Sequence, residues 1–254
     1  MSKKIIELST PEVVDMADDW YVHATTSHFW IKSRYRALKN CAIFKKIAKP
    51  RFFEIGCGNG AIINQFEGDL DAVVDGCDLN MFALEQIKEE KGNVYCLNIY
   101  DKPKELIAKY DGIILMDVIE HIDDDADFVR TGMSYSKPGG YVLINVPALN
   151  KLFSRYDTAA GHKRRYTKKM LRELFDKCGL EEVRIQYWGF SLLPIALIRK
   201  VVLAFVSKEN IIATGFKPPT SFVNKLFNSI LKLENGLLKS PPIGTSLIAI
   251  GKIK

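Results

Sequence analysis

Three groups of residues in this chain have types and spacings that suit chemistry. The first is Phe52-Phe53-Glu54-Ile55-Gly56-Cys57-Gly58-Asn59-Gly60, an apolar run that ends in glycines at alternate positions. Glycines there permit a tight turn and let backbone approach a ligand, and a helix beginning at Ala61 would offer free N–H groups beside it. About 20 residues further on, a second apolar run ends in Cys77-Asp78-Leu79, where a carboxylate would take both hydroxyls of a ribose. The second group is Asp117-Val118-Ile119-Glu120-His121. His121 is the candidate general base, because an unperturbed imidazole titrates near neutrality. The plainer alternative is a His that packs or caps the next helix beside Asp123 and Asp124. The third group is Gly161-His162-Lys163-Arg164-Arg165-Tyr166-Thr167, a dense donor cluster. Arg164 and Arg165 could clamp a carboxylate or phosphate on an acceptor, with Tyr156, Asp157, His162 and Tyr166 at the same mouth. The alternative holds those arginines on Asp157 or Glu173.

Two cofactors fit the glycine loop. A dinucleotide fold wants G-x-G-x-x-G/A, which Gly56, Gly58 and Ala61 satisfy. The pattern E-x-G-x-G-x-G suits S-adenosylmethionine (SAM), and Glu54, Gly56, Gly58 and Gly60 match all its fixed positions. Glu54 separates the two. A carboxylate there would repel a pyrophosphate but can bind the ammonium of a methionine moiety. The reading is therefore methyl transfer from SAM, leaving S-adenosylhomocysteine. An NAD-dependent oxidoreductase, a SAM-binding module without catalysis and an RNA methyltransferase are the competing readings.

On these motifs the chain resembles the class I SAM-dependent methyltransferases, over roughly residues 20–190 and the last strand. The resemblance implies that Asp78 and Leu79 hold the ribose and that Asn98-Ile99 edge the adenine, although Asp is more usual at position 98. It also lines the cofactor site with Cys57, Met116 and Asp117. Ile113–Ile122 is similar to the segment after strand four in the small-molecule and quinone-type branch. No Asn/Asp-Pro-Pro-Tyr/Phe follows that strand, which argues against a DNA amino-methylase. A bacterial subgroup carries H-W/F-W-x-x-x-R before the glycine loop and G-H-x-R-R-Y-T after strand five. His28-Phe29-Trp30-Ile31-Lys32-Ser33-Arg34 and Gly161–Thr167 resemble these segments. The first implies a cover over the site, with Trp30 and Arg34 on one helix face toward the acceptor. No metal site is expected.

The elements that must position these residues are readable in outline. Residues 11–49 read as a helical cover, with few breakers until Pro50. Strand candidates follow at Arg51–Ile55, Ala72–Cys77, Val94–Leu97, Gly112–Met116 and Tyr141–Val146, alternating with helices. One such helix runs from after Cys77 to about Glu90, and Lys137-Pro138-Gly139-Gly140 reads as a turn. Thr167–Cys178 is a helix with an N-cap and a Gly179 stop. Val183–Tyr187 and Ser246–Ile250 complete seven strands. Alternation of this kind means βαβ units and a doubly wound, mostly parallel α/β sheet. The family resemblance makes the last strand, within Thr245–Lys252, antiparallel. Between the last two strands, Trp188–Pro242 is a mainly helical insertion broken at Pro218-Pro219 and Pro241-Pro242.

Composition agrees with one large domain: 254 residues, 47% hydrophobic and 26% charged, which excludes a disordered chain. Residues 1–150 hold 17 Lys+Arg and 23 Asp+Glu, a net of −6, and residues 151–254 hold 19 and 7, a net of +12. The basic half suggests an anionic partner on the acceptor side. Cys41, Cys57, Cys77, Cys96 and Cys178 form no CxxC pair, which reads as reduced thiols in a cytoplasmic protein. No apolar signal segment precedes Pro11. Leu192–Val206 is mostly apolar but carries Arg199 and Lys200, which would cost about 5–7 kcal/mol at a bilayer centre. A span is disfavoured. The stretch either walls an apolar acceptor pocket or lies in a membrane interface, peripheral at the inner face, with a lipid-linked acceptor.

Overall fold

A five-residue apolar strand, Arg51–Ile55 (β2), sits at the centre of the sheet because both of its faces are covered. Phe52 packs on one side with Ile62, Ile63 and Phe66, and Phe53 on the other with Ile113, Val142 and Leu171. Successive strand side chains point to opposite faces, so a continuous apolar run marks a strand buried on both. The computed structural model describes residues 4–12, 20–21, 24–40, 47–88, 91–216 and 220–254.

The other strands are β1 (Ile5–Glu7), β3 (Val73–Asp78), β4 (Val94–Cys96), β5 (Tyr110–Met116), β6 (Ser136–Pro147), β7 (Glu181–Trp188) and β8 (Ser246–Lys252). Their order is β1-β4-β3-β2-β5-β6-β8-β7, and β8 runs antiparallel to both of its neighbours. The sheet is thus the doubly wound, mostly parallel one expected, with its last strand reversed. It has eight strands rather than seven. The addition is Ile5–Glu7, which extends the edge by pairing with Val94–Cys96.

The helices are α1 (Phe29–Lys39), α2 (Ala61–Asp69), α3 (Met81–Leu84), α4 (Asp125–Met133), α5 (Arg155–Ala159), α6 (Lys168–Lys177), α7 (Leu193–Leu203), α8 (Ile211–Phe216) and α9 (Ser221–Leu237). Two expectations change here, and a third is described only in part. Within the expected cover, α1 is helical, while residues 13–19, 22–23 and 41–46 lie outside the described residues, as do Cys41, Pro218 and Pro219. The helix after β3 stops at Leu84 instead of reaching Glu90, and the chain turns Ile87 in against Gly60. Lys137–Gly140 is drawn into β6, because Ser136 already pairs with Tyr110 before the register shifts to Gly112 and Tyr141.

The insertion forms α7, α8 and α9. The inward side of α9 combines apolar Phe227 and Leu231 with polar anchors: Asn224 accepts from the Phe29 N–H at 2.9 Å and Asn228 from Arg36 at 2.8 Å. Glu234 accepts the N–H groups of Gly189, Phe190 and Ser191 at 2.8, 2.9 and 2.8 Å. Its outward stripe is apolar, with Phe222, Leu226, Ile230, Leu233 and Leu237 exposed. Among the described residues no helix is long and apolar enough to cross a membrane.

Candidate active site

The carboxyl ends of β2 and β3 are sewn together at the glycine loop. Gly56 and Cys57 donate to the Cys77 carbonyl at 2.8 and 3.0 Å. Asp78 accepts the Gly58 N–H at 2.9 Å on one oxygen and the Asn80 N–H at 2.9 Å on the other. Gly56 and Gly58 have φ of +72° and +51°, and an added Cβ would stand 2.7 Å from Val118 and 2.8 Å from the Tyr21 ring. Both positions need glycine on conformation and on space. Gly60 precedes α2 without a capping side chain, so the first N–H groups of α2 face the loop.

Glu54 is buried under this turn. Burial raises the Asp78 carboxyl above the usual range, against the pull of its backbone donors. Burial likewise pushes the Cys57 and Cys77 thiols well up, which removes them as thiolate nucleophiles. Cys57, Cys77, Cys96 and Cys178 are free thiols. Leu79 and Ile99 follow β3 and β4, and Met116 ends β5, along the same sheet edge. Asn98 spends its side-chain oxygen on the Tyr100 N–H at 3.1 Å, as a local cap. Asn59 donates to the carbonyls of Tyr21 and Ala24 at 2.6 and 3.2 Å, which lays that segment over the loop.

A cavity of about 400 Å³ opens beside this edge. Its polar wall is Asp117, Tyr156, His162, Arg165 and Arg199, and its apolar wall includes Trp30, Phe216, Ile198 and Val202. His28 stacks on Phe216 with ring centroids 4.8 Å apart.

The charges in the polar wall are ordered by two carboxylates. Asp117 accepts from Arg34 at 2.6 Å and from Asn145 at 2.7 Å, while Asn145 accepts from the Trp188 indole at 2.8 Å. Arg34 also lies 5.0 Å from the Trp30 ring centroid. Asp157 is the second hub. One oxygen accepts from Arg165 Nε at 2.7 Å and His162 Nδ1 at 3.0 Å, and the other from the Ser154 N–H at 2.8 Å. Donation from His162 and Arg165 holds the Asp157 carboxyl well below the usual carboxylate range, although burial opposes it.

Four sequence expectations are redirected by this geometry. His121 stands behind the cavity wall, edge-on to His162 at 4.9 Å, and burial brings its pKa down to about 4. Arg164 turns away from the cavity to Asp125 at 3.2 Å and the Asp123 carbonyl at 3.0 Å. Tyr166 is buried on Asp125, with its hydroxyl 2.7 Å from the carboxylate. Arg34 lies behind the lining, on Asp117. Trp30, Tyr156, His162 and Arg165 do reach the cavity. The Arg165 pairing is the Asp157 alternative named from sequence. Asp157, expected from sequence beside Tyr156 at the same mouth, is the hub of that wall, whereas Arg199 is not legible as a site residue. Arg199 is hidden in an apolar run.

Glu120 is fully buried, and among the described residues neither of its carboxylate oxygens has a hydrogen-bond partner. Its oxygen and nitrogens of His121 and His162 lie within 4.8 Å of one another, a donor set that suits a shared proton or a divalent cation. Burial, reinforced by Asp117, keeps the Glu120 carboxyl protonated well above its usual range. Above about pH 4.5 the folded state then holds a proton that the unfolded state has lost, so this group makes stability fall as pH rises. Glu120→Gln is expected to remove that slope, gaining up to about 1.4 kcal/mol on wild type per pH unit. Urea unfolding at pH 5 to 8 measures it. Parallel profiles for the two proteins would show the native carboxyl to be ionised.

The glycine loop, the strand order and the reversed last strand define a class I SAM-dependent methyltransferase fold. The family described as "Methyltransferase domain" matches residues 24–185, more than half of the chain, and the chain belongs to it. A ubiquinone biosynthesis O-methyltransferase of Nitrosospira multiformis is 31% identical over 108 residues, 39% of this chain and 44% of the relative. One from Hydrogenovibrio crunogenus is 25% identical over 119 residues, 44% of this chain and 48% of the relative. The matches thus span less than half of these relatives' length. Among solved structures, a phosphoethanolamine N-methyltransferase 2 of Haemonchus contortus in complex with SAM aligns with TM-score 0.54 at 20% identity. The alignment covers 85% of this chain and 52% of that one. A SAM-dependent methyltransferase from Archaeoglobus fulgidus aligns with TM-score 0.50 at 19% identity, covering 85% and 94%.

Proposed function

We propose that this methyltransferase moves the methyl group of SAM to a hydroxyl of a small, largely apolar acceptor, and that His162 takes the proton. The observation that carries this reading is His162, fixed on Asp157 at 3.0 Å and exposed to a cavity that reaches Asp117 at the end of β5. Ionised Asp157 accepts the Nδ1 proton, so the Nε2 lone pair is left for an acceptor. His121 packs behind and holds the ring edge-on.

The loop residues fit SAM. Asp78 suits the ribose, buried Glu54 suits the methionine ammonium, and the positive-φ glycines admit the ligand to the backbone. Leu79, Asn98, Ile99, Cys57 and Met116 are the neighbours along the same sheet edge. Bound there, SAM supplies an electrophilic methyl on a sulfonium. The protein holds the acceptor oxygen in line, which is worth about 7–11 kcal/mol of the barrier. The methyl would leave the sulfonium for the acceptor oxygen, with the thioether of S-adenosylhomocysteine as leaving group, and His162 is placed to take the hydroxyl proton. The O-methyltransferase names of the relatives support a hydroxyl acceptor.

The cavity mouth supports a lipid-linked acceptor. Ile198 and Val202 line the cavity and are also exposed, beside Leu197, Val201 and Phe205 on the same helical segment. The α9 stripe adds a second exposed apolar face, with exposed Lys225 and Lys232 on that helix and Lys239 just beyond it. Apolar residues flanked by lysines suit an anionic bilayer surface. The protein then acts as a peripheral enzyme at the inner face of the membrane, where its free thiols stay reduced. Flotation with phosphatidylcholine vesicles containing phosphatidylglycerol tests this. Wild type is expected to float, and Phe205→Glu with Leu237→Glu to stay in the soluble fraction. Those positions are 87% and 73% exposed, so folding is spared. Labelled SAM supplied with a lipid extract should put its methyl into an apolar ether. Label recovered only in RNA would favour the RNA reading.

A further inference from the structure

We infer that the acceptor carries an acidic group, a carboxylate or a phosphate, and that Arg199 receives it. This rests on the reading that the cavity takes the acceptor. The three arginines at this site differ in one respect. Arg34 is paired with Asp117 at 2.6 Å and Arg165 with Asp157 at 2.7 Å. Arg199 has no carboxylate partner within ion-pair distance among the described residues. Its contacts are the Gly215 carbonyl at 3.2 Å and the face of Tyr156, with the guanidinium carbon 4.6 Å from the ring centroid.

That arrangement is built. An added Cβ at Gly215 would stand 2.4 Å from Tyr156, so glycine is what lets α8 bring its carbonyl beside the ring and the guanidinium. Tyr156 is itself buried, at the base of the cavity wall. Burial works against the Arg199 charge and the Arg165 charge adds to that, while Tyr156 and the nearby Asp157 charge support it without pairing with it. A half-buried guanidinium with no directly paired carboxylate is incompletely compensated. An anionic ligand entering the cavity supplies the counter-charge, and the guanidinium fork presents parallel N–H groups to carboxylate or phosphate oxygens. The surrounding apolar wall takes the rest of the molecule. The acceptor class is therefore an anionic amphiphile with a hydroxyl within reach of His162. The clamp expected of Arg164 and Arg165 from sequence falls instead to one residue of the insertion.

Calorimetry on the full chain, saturated with S-adenosylhomocysteine, tests the inference with three chain-matched probes: octanoate, octyl phosphate and octanol. At least one of the anions is expected to bind about tenfold or more tightly than octanol, as for a charge-assisted hydrogen bond. The tighter anion identifies the acidic group. Arg199→Gln should collapse the anion preference, and Arg199→Lys, which keeps the charge, should retain part of it. Equal binding of all three probes by wild type, no binding of any, or a preference that survives Arg199→Gln would overturn the inference. S-adenosylhomocysteine titration of each variant serves as the folding control and separates this idea from the methyltransferase reading. A chain that binds the nucleoside without anion preference contradicts only the Arg199 role. A chain that prefers anions but ignores the nucleoside contradicts the methyl-transfer reading.

Discussion

His162→Ala is expected to lower kcat about 10²–10⁴-fold with the true acceptor, the usual contribution of a positioned general base. S-adenosylhomocysteine affinity should be unchanged, because His162 lies in the cavity wall and not on the glycine loop. His121→Ala should cost far less, since that ring stands behind His162. The comparison separates the two imidazoles that the sequence places 41 positions apart. Asp157→Asn is the companion variant. It removes the charge that fixes the Nδ1 proton and also pairs Arg165, so the loss should appear in kcat and in the pH profile together. A His162→Ala enzyme with wild-type kcat would remove the base from this account.

Asp78→Ala is expected to weaken S-adenosylhomocysteine binding by at least 1.5–3 kcal/mol, roughly 10- to 150-fold, the value of a charge-assisted hydrogen bond. The structure gives a reason for a larger effect. The same carboxylate accepts the Gly58 and Asn80 N–H groups at 2.9 Å each, so alanine also releases the loop that meets the ligand. Asp78→Asn keeps the side-chain shape and one acceptor oxygen, and should fall between wild type and Asp78→Ala. Calorimetry reads all three. Wild-type affinity in Asp78→Ala would show that the ribose is held elsewhere.

Much of the sheet and the glycine loop was legible because the signals are local. Glu54, the alternating glycines and Asp78 follow one another over two strands, and the loop geometry is a property of those residues themselves. Ile5–Glu7 was not legible as a strand: three residues carry no period, and their partners lie some 90 positions away at Val94–Cys96. The arginines show the same limit at the site. Arg164 and Arg165 are adjacent in sequence, yet one faces Asp125 and the other Asp157, a choice made by packing. Arg199 reads as an interruption of an apolar helix until Tyr156 and Gly215 are seen around it. The helix α9 contains polar and apolar positions in ordinary proportion. Only its docking on α1 shows that Asn224, Asn228 and Glu234 anchor the inward side while an apolar stripe faces outward.

The most direct test of the central claim is calorimetric titration of the wild-type chain with S-adenosylhomocysteine and, separately, with NAD. The account predicts one saturable S-adenosylhomocysteine site, weakened by Asp78→Ala, and no NAD binding, because Glu54 would face a pyrophosphate. Tight NAD binding without an S-adenosylhomocysteine signal would contradict it.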